Sequence, residues 1–172
     1  MSKKRKVLTK IFTKFMSITN EEFRASLGRF ASGVTVVTTK DGAGELHGLT
    51  VSAFCSVSMN PPLILVCIQK TTGSYHAFEE SKVFVVNILS ESQKDISNQF
   101  AFKHEDKFAG ISYQKGIEDL PVLDDCLVNL ECQLKHSYDG GDHTIFVGEI
   151  VKTTVRDGKP LSYFHGNYHQ LA

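Results

Sequence analysis

Residues 48–70 read GLTVSAFCSVSMNPPLILVCIQK, and this stretch constrains the fold more than any other part of the chain. Across 49–59 the odd positions are Leu, Val, Ala, Cys, Val and Met, while Thr50, Ser52, Phe54, Ser56 and Ser58 fill the even ones. This period of two predicts one strand with an apolar face and a hydroxyl-bearing face. Asn60-Pro61-Pro62 then stops ladder pairing, because proline has no amide proton. The chain re-enters at 63–68 as a continuous apolar run, which predicts a strand buried on both faces. Gln69, Lys70, Thr71, Thr72, Gly73 and Ser74 follow, a loop of hydroxyls with one cation, the chemistry that holds phosphate or another anion. A wet sheet face followed by a capped helix gives the same pattern, so the residues alone leave ligand site and plain surface both open.

The chain has 172 residues, 41% hydrophobic and 22% charged, which fits one globular domain with a core large enough to stand alone. Nineteen basic and nineteen acidic side chains cancel, so no global field points to nucleic acid or an anionic membrane as the main partner. Cys55, Cys67, Cys126 and Cys132 lie inside apolar strand patterns without metal-ligand spacing. They read as small buried hydrophobes, suited to a reducing cytoplasm, and no metal site is expected. No run is long enough to span a bilayer. Residues 1–18 form a basic tail or helix, in which Lys3, Lys4, Arg5, Lys6, Lys10 and Lys14 alternate with apolar residues. A tail, or a start upstream of Met16, is the simpler reading than a membrane-surface helix.

The globular domain is expected over 19–172. Thr19 with Glu22 makes a capping box, and Phe23, Leu27 and Phe30 fall on one helical face expected to pack against the sheet, with Gly33 as the stop. VTVVTT at 34–39, a turn at Asp41-Gly42-Ala43-Gly44 and the hydroxyl-faced strand predict a hairpin. A short helix through Tyr75, Ala77 and Phe78, a strand at 83–89 and a polar helix at 92–100 come next. Phe100, Phe102, Phe108, Ile111 and Tyr113 are spread through charged residues and glycine, a lid over a ligand or partner, or a loop pinned to the core. A half-exposed strand at 126–134, a turn at 138–142 and a strand at 143–151 with a bulge at Gly148 predict a second hairpin. The aromatic segment 161–169 is expected to dock. Many strands joined by short turns predict a mainly β chain, an antiparallel barrel with peripheral helices.

FRASLGRFASGVTVVTT, GLTVSAFCSVSMNPPLILVCIQK, DKFAGISY, and GGDHTIFVGEI followed by PLSYFHGNYH resemble, in order and over about residues 20–171, the flavin reductase-like FMN-binding split-barrel family. That family includes the reductase components of two-component flavin monooxygenases. The resemblance implies a six-stranded antiparallel split barrel that pairs as a homodimer, binds FMN or FAD near the dimer interface and takes hydride from NADH or NADPH. It implies that Leu49, Thr50, Val51, Ser52, Ser56, Val57 and Ser58 hold the flavin ring and ribityl chain, and that Gln69, Lys70 and Ser74 hold the phosphate. Phe102 is placed at the cofactor, His143 beside the nicotinamide, and Tyr163, His165, Gly166 and Tyr168 at the border of the same pocket. Family members often carry arginine where this chain has His165 or Asn167, which leaves NADH and NADPH both open.

On this reading the flavin carries the chemistry, the protein supplies no nucleophile, and reduced flavin passes to a flavin-dependent monooxygenase component. An FMN-binding electron carrier or flavin-storage protein, and a haem- or pyridoxal-binding split barrel, are the competing readings.

Overall fold

The computed structural model describes residues 18–102 and 106–171. The basic segment assigned to residues 1–18 lies outside the described residues except for Ile18. Helix α1 (Asn20–Leu27) starts on the expected capping box: Glu22 N–H donates to Thr19 Oγ1 at 3.1 Å, and Thr19 N–H donates to Glu22 Oε2 at 2.8 Å. The helix ends at Gly28, five residues before Gly33. Its apolar face does not pack on the sheet, since Phe23, Leu27 and Phe30 are 53%, 55% and 78% exposed. The backbone tie from this helix to the rest of the chain is His165 N–H to Gly28 O, which holds it beside the C-terminal hairpin instead.

Seven strands make the main sheet: β2 (Thr35–Lys40), β3 (Leu46–Val51), β4 (Phe54–Met59), β5 (Pro62–Gln69), β6 (Val83–Ile88), β9 (Val128–Gly140) and β10 (His143–Val155). Their order is β3-β2-β6-β9-β10-β5-β4, antiparallel throughout. Short β1 (Ser32–Gly33) pairs with β11 (Ser162–Phe164), which pairs in turn with β12 (Asn167–His169), while β7 (Tyr113–Lys115) pairs with β8 (Pro121–Leu123). Helices α2 (Tyr75–Glu80) and α3 (Lys94–Ala101) complete the described elements used below. No helix among the described residues is long and apolar enough to cross a membrane.

The stretch 49–59 is not one strand. It breaks at Ser52 and Ala53 into β3 and β4, which occupy opposite edges of the sheet. Three Cα steps reach about 11 Å, whereas the edges of a flat seven-stranded sheet lie about 28 Å apart. The sheet therefore curls until its edges meet, and Cys67 N–H, donating to Ala53 O at 3.0 Å, carries the β4–β5 ladder up to the crossing. This is the split antiparallel barrel, with seven strands in the sheet rather than six.

The break also changes which residues face inward. Leu49 and Val51 are buried in the core, but beyond the break Phe54 turns in while Cys55, Val57 and Met59 are exposed. A register shift between Ser56 and Ser58 further disturbs the alternation. Strand β5 buries Ile64, Val66 and Ile68 but leaves Leu63, Leu65 and Cys67 half-buried, so one face of it is core and not two.

One apolar cluster fills the barrel, built on Val37, Ile64, Val66, Ile68, Phe84 and Phe146. A second, with Val36, Leu89, Phe100, Leu123 and Leu161, lies under α3 and the segment after it. The bulge expected at Gly148 is present, and a Cβ there would come within 2.5 Å of the Phe84 ring. Cys126 and Cys132 are buried, and burial pushes their thiols up to about 11 and about 12, whereas Cys55 is exposed. The expected turn at 138–142 shrinks to the hairpin tip, because β9 continues through Gly140.

Candidate functional site

A cavity of about 690 Å³ opens between three segments: residues 45–50, residues 71–74, and the aromatic stretch that contributes residues 100–102, 106–108 and Tyr113. Its size is that of a site for a small organic ligand. Strand β3 forms one wall and carries Gly48, where a Cβ would lie 2.5 Å from Phe100 Cε1. Only glycine lets the Phe100 ring pack against this strand. Phe108 then stands edge-on to Phe100 at 5.1 Å and to Tyr113 at 5.7 Å, so the aromatics expected as a lid form a connected wall.

The polar groups are held by backbone geometry. The Ser74 hydroxyl donates to Gly48 O at 3.3 Å, fixing the start of α2 against β3. The Thr50 hydroxyl donates to Ser97 O at 2.6 Å, fixing α3 against the same strand. Lys107 Nζ donates to Gly48 O at 3.2 Å and to Phe100 O at 2.9 Å, so the cation is part of the wall rather than free in solvent. Its burial holds the ammonium below the usual lysine range. Gln99 Nε2 reaches Lys107 O at 2.9 Å and Ala109 O at 3.0 Å, which pins the chain on either side of Phe108.

Of the residues marked from sequence, Leu49, Thr50, Ser74 and Phe102 line this cavity. Val51 is turned into the barrel core. Ser52 is exposed at the edge crossing, and Ser56 and Val57 are exposed and Ser58 half-buried on β4, away from the cavity. Gln69, Lys70 and His143 come together elsewhere, at the tip of the β9–β10 hairpin. Gln69 pairs with His143, Lys70 Nζ donates to the Asp139 carboxylate and to Gly141 O at 2.7 Å, and His143 Nδ1 lies 2.7 Å from Asp142 Oδ1. The Asp139 carboxylate beside it raises the Lys70 ammonium above its ordinary value, and Lys70 in turn lowers Asp139.

Tyr163, His165, Gly166 and Tyr168 form a third group on the β11–β12 hairpin, whose turn is made by His165 and Gly166 at positive φ. Tyr163 stands edge-on to Tyr168 at 5.3 Å. The Tyr168 hydroxyl lies 2.8 Å from Ser97 Oγ, so this hairpin reaches the cavity wall through the residue whose carbonyl Thr50 engages. Thr71 and Thr72 of the expected anion-binding loop line the cavity too, and His47 and Lys107 line it without having been assigned to it from sequence. A single lysine in a charged stretch has no periodic signal; its place beside Phe108 in the DKF run was the available cue.

The donor set fits a flavin nucleotide. Hydroxyls and backbone of residues 71–74 suit a phosphate or ribityl chain, while Phe102, Phe108 and Tyr113 offer apolar surface to a ring system.

Comparison with known proteins agrees with this geometry. The reductase subunit HsaB of a flavin-dependent monooxygenase from Rhodococcus jostii is 37% identical over 153 residues, 88% of this chain and 78% of that protein. The FMN reductase (NADH) RutF 2 of Rhizobium rhizogenes is 38% identical over 155 residues, 88% of each. A probable flavin reductase of Rhizobium meliloti is 39% identical over 84% of this chain, which spans about half, 47%, of that relative's length. Among solved structures, flavin reductase PheA2 in its native state superposes with a TM-score of 0.82 at 40% identity, covering 90% of this chain and 99% of that one. The Streptomyces globisporus NADH:FAD oxidoreductase SgcE6, solved with NAD and FAD fragments, gives 0.84 at 30% identity, covering 91% and 98%. The model of the flavin reductase like domain matches residues 27–172, the barrel and the cavity walls together, and the chain belongs to that family.

Proposed function

We propose that this chain is an NAD(P)H:flavin oxidoreductase, taking hydride from NADH or NADPH to FMN or FAD and supplying reduced flavin to a partner oxygenase. The observation that carries the reading is the cavity itself, in which the Thr71–Ser74 hydroxyls, the Lys107 cation and an aromatic wall meet on a barrel of this family. When bound, a flavin supplies the two-electron acceptor, so the protein's work is to bind, orient and shield. Ser74, Thr71 and Thr72 are the groups for the phosphate or ribityl end, and Phe102 and Phe108 shield the ring. The relatives named for an FMN reductase (NADH) activity, for NADH:FAD oxidoreductase activity and for a monooxygenase reductase subunit support the donor, the acceptor and the partner class respectively.

His143 enters this reading as the nicotinamide-side residue and Lys70 as a phosphate-side one, since Lys70 directly precedes the Thr71–Ser74 loop in sequence and is tied to the β9–β10 tip that carries His143. The homodimer rests on apolar surface that one chain leaves uncovered. Val57 is 49% and Met59 94% exposed on edge strand β4, and Phe23, Leu27 and Phe30 of the α1 region are likewise open. A dimer would bring β4, with Ser56 and Ser58, within reach of a flavin. Four free thiols among the described residues suit a cytoplasmic setting. NADH oxidation by the purified chain with added FMN or FAD tests the activity; no turnover with either flavin and either nicotinamide would overturn it.

A further inference from the structure

Beside the cavity, at the tip of the β2–β3 hairpin, Asp41, His47 and His76 each present a ligand atom, all within 4.8 Å of one another. His47 Nε2 is 3.2 Å and His76 Nε2 3.9 Å from Asp41 Oδ2, and the two rings stand edge to face with centroids 4.9 Å apart. The other carboxylate oxygen is already engaged: Asp41 Oδ1 accepts the N–H groups of Ala43 and Glu45, each at 2.9 Å. The carboxylate is thus fixed with Oδ2 turned to both imidazoles. Gly42 N–H donates to Glu80 Oε2 at 3.0 Å, which ties the hairpin tip to α2, the helix that carries His76.

We infer that Asp41, His47 and His76 form a binding site for a divalent transition-metal ion of the Zn²⁺ type. Bonds of about 2.0–2.1 Å in a tetrahedral site set ligand atoms about 3.3 Å apart, and the Asp41–His47 separation lies close to that edge. Two imidazoles and one carboxylate are a three-ligand set that leaves a fourth position to water. Hydrogen bonding of the carboxylate's second oxygen is the outer support such sites use to orient a ligand. The Asp41 and His47 side chains are 13% and 14% exposed and preformed, while His76, at 53%, has room to move in toward both. The ion would clamp β3, whose His47 and Gly48 line the cavity, to the helix that Ser74 precedes. Flavin binding and metal binding would then stabilise the same junction from two sides.

The competing role is a plain Asp41–His47 hydrogen bond with His76 as a bystander. The test uses the full chain with Cys55→Ser, which removes the exposed thiol, freed of metal by chelator and titrated with Co²⁺ and then Zn²⁺. One Co²⁺ per chain with visible absorption, its displacement by Zn²⁺, and a melting temperature raised by either ion are expected. His76→Ala, outside the cavity lining, should weaken metal binding about tenfold or more and abolish the metal-dependent rise in Tm while flavin affinity stays unchanged. Metal affinity equal in His76→Ala and the parent overturns the site. So does a melting temperature lowered equally with and without metal, which would mark His76 as a structural contact.

Discussion

Lys107 Nζ bridges Gly48 O at 3.2 Å and Phe100 O at 2.9 Å, joining strand β3 to the aromatic wall across one end of the cavity. Hydrogen bonds from a charged donor contribute about 1.5–3 kcal/mol each. Lys107→Met keeps the aliphatic stem and deletes the donor, so flavin affinity should fall about tenfold, a loss of about 1.4 kcal/mol. Flavin titration measures it, and an unchanged Kd removes Lys107 from the site.

The same lysine sets a pH dependence. Its ammonium is held below the ordinary 10.5 by burial, so between that lowered value and 10.5 the unfolded chain binds more protons than the folded one. Lys107 therefore costs stability at neutral pH, and that cost fades as pH climbs through the window. Urea midpoints taken along this range should show the parent gaining on Lys107→Met as pH rises. A gap independent of pH would refute the depressed ionisation.

Gly48→Ala addresses the packing of Phe100. The new Cβ would sit 2.5 Å from the ring, and overpacking of this kind costs about 1–3 kcal/mol. Displacing Phe100 also shifts Phe108, which stands edge-on to it, so the melt and flavin affinity should fall together. A stable variant with normal affinity would show that the aromatic wall can move freely.

Asn87 is fully buried and links three strands to one another: its Nδ2 donates to Val36 O, and its Oδ1 accepts from Leu123 N–H at 3.0 Å and Asn129 Nδ2 at 2.9 Å. Asn87→Leu fills the same space and strands these partners, each unsatisfied group costing about 1–3 kcal/mol, so a loss of about 3 kcal/mol is expected by urea unfolding. A loss below about 1 kcal/mol would mean that the partners find other bonds.

Val57→Lys tests the pairing of barrels. A charge on the open face of β4 should convert a dimer to a folded monomer in sedimentation equilibrium and weaken flavin binding with it. A dimer that persists places the contact elsewhere.

Much of this architecture was legible in the sequence because side-chain period reports which face of a strand is covered. The two hairpins, the Thr19 capping box and the Gly148 bulge all follow from local chemistry that tertiary context did not override. The switch at Ser52 and Ala53 was not legible, because the alternation of Leu49 and Val51 continues in phase through Cys55 and Val57 although those residues join the opposite edge. The apolar stripe of α1 led to an expectation of packing against the sheet that the structure does not meet, since a stripe says nothing about what will cover it. Within the site, Leu49, Thr50, Ser74 and the aromatic segment were within reach. Lys107 and His47 were not, because single polar residues carry no period.

The crossing at Ser52 and Ala53 makes the two rims of the sheet one taut piece of chain. Added length there would let the rims part and open the wall that β3 gives the cavity. Insertions and fusions are therefore expected to be rejected at the rim. The same economy that brings the cavity wall together leaves that junction the least free to drift in length.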